Sequence, residues 1–371
     1  MSDDKTGALP DKINFTDAPR AWLARFRHIP HSEKIFFVQH LGVMIKAGIS
    51  LAKALKALEQ QTKNKRLKKI INDVHAQILK GNTLADALKP HRDIFGELFV
   101  NMIEAGESSG TLENVLKQLY LQLKKGHRLN AKIRGALAYP MVILVAMGGI
   151  GAGVMVFVVP KFISIFEEVD VELPLMTRLL IMISNQITNN GLFVFIGTAI
   201  FLVAFFKLIK TSTGRAWTDA VIINVPVIAP IVKKINLARF ARTMSSLLKT
   251  DIKVVECFHI TANTLNNTLY RQSLHAAAER VVKGEEIHVV LKQYPRLYND
   301  VIIEMVSVGE ETGELDDILS EIADFYEEEV EDVMNALPTL IEPLIIIILA
   351  AAIGAMAVAI IMPMYSLTNA I

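Results

Sequence analysis

The sequence has little sulfur chemistry, almost no net charge and no recognisable catalytic constellation. One cysteine, Cys257, in 371 residues excludes an internal disulfide framework. Its place in an apolar-periodic helical stretch points to an inert core thiol rather than a reactive one. Thirty-nine Lys and Arg against 38 Asp and Glu leave a net charge of +1, which gives no support for a nucleic-acid partner, so only local patches carry meaning. There is no HExxH, CxxC, GxSxG or P-loop. The 9 histidines are scattered and pair with no carboxylate at ligand spacing, and nothing resembles a calcium loop. No catalytic residue, cofactor or metal is therefore expected. No alternating β-pattern of useful length occurs. Around Asp3, Asp4 and Lys5 no apolar h-region follows, so no cleavable signal peptide is expected.

What the chain does have is apolar residues, 52% of it, beside 21% charged ones, with a mean hydropathy of +0.37. That mixture implies soluble parts joined to membrane spans. It also has one stretch twice. Gly106-Glu107-Ser108-Ser109-Gly110-Thr111-Leu112 returns as Gly309-Glu310-Glu311-Thr312-Gly313-Glu314-Leu315, and 309 − 106 = 203. The same shift maps Phe37 onto Phe240, Lys80-Gly81 onto Lys283-Gly284, Pro140 onto Pro343, Ile150-Gly151-Ala152 onto Ile353-Gly354-Ala355, and Pro160 onto Pro363. One constant offset held from Phe37 to Pro160 is the signature of an internal duplication.

Residues 1–34 read as a polar tether broken by prolines. Within it Arg20 to Arg27 mixes Trp22 with basic residues, which suits either the membrane–water interface or a helix packed on the first domain. Residues 35–135 read as a helical bundle. Phe37, Leu41, Met44 and Ile45 recur at helical spacing, Lys68 to Leu79 is amphipathic, and Asn82-Thr83 caps a short helix Leu84 to Leu88. A helix from Phe95 to Ala105 should close at Gly106, and Thr111 should open the next.

Met141 to Val159 is 19 residues without a charge between Pro140 and Pro160, about 28 Å of helix against a hydrocarbon core of ~30 Å. Its Gly148, Gly149, Gly151, Ala152 and Gly153 suit a helix-packing face, or else a kinked span. A shorter uncharged run, Leu192 to Phe206, needs lengthening by the preceding Leu179 to Asn190 segment or by Lys207 and Lys210. Leu344 to Met362 repeats the first run. The basic flanks Lys124 to Arg134 and Lys207 to Lys234 should lie in the cytoplasm. Two parallel copies need one additional crossing between them, which the middle run supplies.

The expectation is an all-α membrane protein with two homologous cytoplasmic helical bundles and three transmembrane helices. Its spans are 136–160, 191–207 and 339–363, separated by an extracytoplasmic segment 161–190 and a cytoplasmic linker with bundle 2 at 208–338. A short extracytoplasmic tail, 364–371, closes the chain.

Three groups of residues stand out. Glu107 and Glu310 sit in the repeated turns, where Gly106 and Gly309 are expected to take φ > 0 at a helix end. The acid should then favour the N-terminus of the next helix through its dipole. Partner contact or ion binding is the alternative, with Gly110 and Gly313 completing the turns. Second, residues 124–134 hold five basic and no acidic side chains, whereas 327–337 hold five acidic and no basic ones. Lys124, Lys125 and Arg128 fall opposite Glu327, Glu328 and Glu331 under the shift. The two stalks are expected either to face each other, fixing register, or to stay solvated with the basic ones on lipid phosphates. Third, Glu342-Pro343 and Tyr139-Pro140 mark the membrane edge. An ionisable group there suits interfacial placement or a helix–helix contact better than ion or pilin handling.

These marks together resemble the GspF/PilC family, the inner-membrane platform proteins of type II secretion and type IV pilus machines. The similarity runs from about Phe37 to Tyr365. It rests on the paired GE-x-x-G-x-L turns, the Tyr139-Pro140 and Glu342-Pro343 span openings, and Leu173-Pro174 with Thr177. Gly214-Arg215, Pro226-Val227 and Arg239-Phe240-Ala241-Arg242-Thr243 complete it. Asp251 departs from it, standing where Gly48 lies in the first copy. The resemblance implies bundles of about six helices and a homo-oligomeric, non-enzymatic platform in the lipid bilayer. Its implied partners are a hexameric assembly or retraction ATPase, pilins or pseudopilins, and other inner-membrane assembly proteins. A small repeat-built transporter is the rival, disfavoured by the scarcity of mid-membrane polar residues; the missing constellations weigh against a membrane-bound enzyme.

Overall fold

The computed structural model describes residues 29–167, 175–226, 228–250 and 252–368. The Arg20 to Arg27 segment, Leu173-Pro174, Val227 and Asp251 lie outside them. Every regular element among the described residues is helical. The chain divides into two compact units, residues 1–123 and 124–371.

The first unit holds helices α1 (His31–Lys46), α2 (Leu51–Gln61), α3 (Lys65–Leu79), α4 (Leu84–Leu88), α5 (Arg92–Phe95) and α6 (Glu97–Ser108), and the start of α7 (Leu112–Gly153). Phe37, Leu41, Leu55, Leu58, Leu67, Ile71, Leu84, Phe99, Ile103 and Leu116 are buried. They are the apolar positions of the 3.6-residue pattern, so periodicity alone places them inside. Asn64 caps α3 by accepting from the amides of Arg66 and Leu67 at 3.0 and 3.1 Å. Thr83 caps α4 by accepting from Asp86 N at 3.1 Å.

Two local expectations need correction. No helix runs unbroken from Phe95 to Ala105: Gly96, at φ 93°, separates α5 from α6. Nor does Gly106 end a helix, because α6 continues through it to Ser108. The left-handed residue is Gly110 (φ 71°) in this copy and Gly313 (φ 75°) in the other. Gly106 and Gly309 are needed for close approach instead. A Cβ on Gly106 would lie 2.5 Å from Val115 Cγ2, and one on Gly309 would lie 3.0 Å from Leu315 Cα.

The second unit contains the rest of α7, a π-turn at Val154–Val158, α8 (Val159–Glu167), α9 (Leu175–Lys210) and α10 (Ser212–Asn224). There follow α11 (Ala229–Leu248), α12 (Val254–Thr264), α13 (Thr268–Val281), α14 (Ile287–Leu291), α15 (Asp300–Thr312) and α16 (Leu315–Thr368). The second bundle reproduces the first in detail. Asn267 caps α13 as Asn64 caps α3. Phe240 packs on Tyr298 at 5.7 Å between ring centroids, as Phe37 packs on Phe95 at 5.8 Å. All three pairs are related by the shift of 203.

Two helices, spanning Leu112–Ile163 and Leu315–Ala359, are long and apolar enough to cross a membrane. The prolines do not delimit them. Helix continues through Pro140, Pro343 and Pro363, since a long helix tolerates the lost hydrogen bond where its neighbouring turns and packing hold it. The middle run is bent. Thr177–Val194 and Ile196–Lys210 meet at 64°, so they count as one broken span or a re-entrant pair, and Asn190 has non-helical angles (φ −122°, ψ 25°). Two polar side chains fasten α9 to its neighbours. Thr177 Oγ1 donates to Ala359 O at 2.8 Å, and Ser184 Oγ donates to Met155 O at 2.7 Å.

Candidate functional site

The repeated acids are helix caps, but not of the helix that follows them. Glu107 Oε1 accepts from Leu84 N at 2.7 Å and its Oε2 from Ala85 N at 3.0 Å, so the carboxylate closes the N-terminus of α4, about twenty residues earlier. Glu310 does the same for α14, with Ile287 N at 2.5 Å and His288 N at 2.9 Å. In the second copy the imidazole Nδ1 of His288 adds a third partner at 2.9 Å; Ala85 occupies that position in the first. Both oxygens of each acid are thus engaged by backbone donors. Among the described residues, no three His, Cys, Asp or Glu side chains gather as a metal site.

The stalks meet inside the second unit. Arg128 Nη2 lies 3.2 Å from Glu331, Lys125 Nζ lies 3.2 Å from Glu327 and 2.6 Å from Asp324, and Lys132 Nζ lies 2.5 Å from Glu331. Numbers rise together along both helices, so the stalks run parallel in the register of the repeat, and Arg128 meets its own repeat-mate. Beneath the charges Leu129, Ala136, Val330 and Met334 form an apolar seam, with Ile231 and Ile235 of α11 packed against it. Glu328 lines the same cleft, of about 460 Å³, and Lys124 is also engaged in a polar interaction.

The sequence reading missed the cation at the centre. Arg242, its side chain only 13% exposed, binds Glu327 at 2.8 Å and Asp324 at 2.5 Å, while Arg239 donates to Asn130 Oδ1 at 2.8 Å. Lys234 pairs with Glu329. Burial works against ionising Asp324, but Lys125 and Arg242 outweigh it and hold its pKa below the ordinary value. Burial likewise opposes the Lys125 ammonium, yet Asp324 and Glu327 raise its pKa. The available signal was the shift itself: Arg242 falls on Gln39 and Arg239 on Phe36, so this clasp belongs to one copy.

Of the residues expected at a membrane edge, Tyr139, Glu342 and Pro343 are exposed and Pro140 is buried. Beyond them lies a cleft of about 540 Å³ with an almost wholly apolar lining that includes Gly148, Gly151, Ala152, Leu179, Ala352 and Ala355. A Cβ on Gly148, Gly149, Gly151 or Gly153 would meet nothing within 4 Å, so their smallness is not consumed by packing within the chain. Cys257 is buried, and desolvation, with the charge of Glu256 added, pushes its thiol up to about 12.

Comparison with known proteins adds the family. The chain is 34% identical over 331 residues to a type IV pilus assembly protein PilC of Thermus thermophilus, covering 89% of this chain and 81% of that one. It is 30% identical to the PilC protein of Pseudomonas aeruginosa, over 90% of each chain. It is 28% identical to type II secretion system protein F of Vibrio cholerae, over 92% of this chain and 84% of that one. The family model described as type II secretion system (T2SS), protein F matches twice, at residues 37–160 and 240–363. Those two matches are separated by the same 203 residues as the repeated turns, and with them the chain belongs to the type II secretion system protein F family.

Proposed function

We propose that this chain is a non-enzymatic inner-membrane platform that couples a hexameric assembly or retraction ATPase to the insertion or extraction of pilin or pseudopilin subunits. The observation that carries the reading is the doubled family match laid over helices apolar enough to cross a bilayer. In this reading the N-terminus and both bundles are cytoplasmic, three spans cross the membrane, and the platform is a homo-oligomer. The basic residues before the first apolar run and after the second support that orientation. The small-residue cleft supports a membrane-side contact with an apolar helix, since Gly and Ala let helix backbones approach closely in lipid. The stalks then transmit displacement: two parallel helices joined by ion pairs and an apolar seam move together.

The test uses the full-length protein in detergent with the hexameric ATPase of its own machine, followed by cross-linking and mass spectrometry. A stable complex with cross-links concentrated on one bundle is the expected result. No complex, with the ATPase shown to be folded and active, would sink the motor coupling and leave the family assignment in place.

A further inference from the structure

A single residue, Thr211, separates helix α10 from the end of α9 at Lys210, and the faces of α10 have different surroundings. Gly214 permits the close approach to the end of α9, because a Cβ there would collide with the Leu208 carbonyl. One face is bolted to the second bundle. Arg215 donates to Asn266 O at 2.5 Å, and Asp219 accepts from the amide and hydroxyl of Thr268, at the start of α13, at 2.8 and 2.6 Å. Arg215 and Asp219 are one turn apart and share that face. Trp217 lies about 200° round the helix from Arg215, on the opposite face. There Thr213, Trp217, Val221 and Asn224 are all exposed. Trp217 is 69% exposed, and the apolar surface continues through Val221 to Ile228 in the following turn.

Two independent constraints set the height of this face. The first is chain continuity, since the apolar run of α9 ends at the exposed Lys207 and Lys210 just before it. The second is packing. Ile231 and Ile235, immediately after the turn, sit on the seam that includes Ala136, Met334 and Leu337. Ala136 and Leu337 precede Pro140 and Pro343, where the apolar spans open, by roughly 6–9 Å of helix. In addition, Thr213–Asn224 and Ala229–Leu248 are together apolar enough for a bilayer yet bent by 111°, so they form no single straight crossing.

We infer that α10 and the turn after it lie in the membrane–water interface. The surface of the phospholipid bilayer covers Trp217, Val221 and Ile228, with Lys207 and Lys210 at the phosphate level. An indole is suited to that boundary because its ring is apolar and its N–H keeps a polar partner. An interfacial helix buries one face only and leaves the other for protein. Because that other face holds Asn266 and Thr268, the interface seat fixes the standing of the second bundle on the membrane. This inference rests on the membrane reading above.

The sequence has 2 tryptophans, so Trp22→Phe leaves Trp217 as the sole indole. The full chain is placed in phosphatidylglycerol–phosphatidylethanolamine nanodiscs, with or without lipid brominated near the glycerol end of its acyl chains. The expected result is blue-shifted emission that loses most of its intensity to the brominated lipid and resists aqueous iodide. A parallel variant, Trp22→Phe with Trp217→Phe and Ile150→Trp, reports the middle of the first apolar run, where Ile150 is exposed. If that indole is quenched by lipid brominated at the chain ends while Trp217 is quenched by iodide, the interfacial seat is wrong and the membrane reading survives. Trp217 shielded from both quenchers would mean that a protein covers the face, which also overturns the inference. Failure of lipid to quench either indole overturns both readings.

Discussion

At the scale of single residues, the repeated Glu is a tertiary cap. Its two oxygens take the two orphan amides that open a five-residue helix too short to hold itself. Glu107→Gln keeps one acceptor and should cost about 1–2 kcal/mol, whereas Glu107→Ala leaves both amides without a protein partner and should cost about 2–3 kcal/mol. Thermal unfolding in detergent, followed by circular dichroism, would order the three proteins. Equal melting of all three would show that water replaces the carboxylate without penalty. Gly106→Ala should also destabilise, by about 1–3 kcal/mol, because its new methyl meets the β-branched Val115, whose rotamers leave little room to yield. The sequence marks these residues by printing them twice, and an acid beside a helix end reads as a helix-dipole partner. It did not give which helix. The nearest N-terminus in sequence competes with one that only folding brings near, and no local pattern encodes a contact across about twenty residues.

At the scale of elements, the stalks show how two copies of one sequence become different. A strict repeat in parallel register would set each charge against itself, and Arg128 facing Glu331 is that contact with one sign reversed. Exposure decides which pairs carry stability. Arg128 is 67% exposed, so Arg128→Ala should cost under about 0.5 kcal/mol. Arg242 is 13% exposed between two acids, so Arg242→Ala should cost about 2–3 kcal/mol by leaving Asp324 and Glu327 poorly paired. Denaturant titration of the two variants would check the contrast, and the prediction fails if Arg128→Ala is the more damaging.

The pH dependence follows from the same residues. Asp324 has a lowered pKa when folded, so its contribution is present above the ordinary carboxylate value and lost as pH falls through the folded one. Lys125 is raised, and its contribution persists until pH exceeds the ordinary lysine range. The stalks should therefore stay together from about pH 5 to 9 and loosen below about pH 4. Spin labels placed on the outer sides of the two stalks would record the separation; loosening near neutral pH would contradict it. The basic and acidic blocks were legible because like-signed runs are conspicuous. Arg242 was not, because a lone arginine in a helical pattern looks the same whether solvated or buried.

At the scale of the whole molecule, the duplication was plain in the sequence and the helical class followed from periodicity and the absence of alternation. The ends of the long helices were not legible. Pro140, Pro160 and Pro343 look like boundaries, yet the helices run through them, because proline removes one hydrogen bond that a long helix can spare. The glycines of the first run suit a packing face, and a Cβ on any of them would meet nothing within 4 Å. If that face is reserved for another helix, filling it should leave the fold alone and stop assembly. Gly148→Leu and Gly151→Leu project side chains into open space, so the variants should reach the membrane and melt as the parent does. They should still fail to restore fibre formation or secretion when they replace it, because a leucine holds an approaching backbone off where glycine admits it. Unchanged assembly by both variants would show that the cleft serves no partner. A lowered melting temperature would instead return the glycines to an internal packing role.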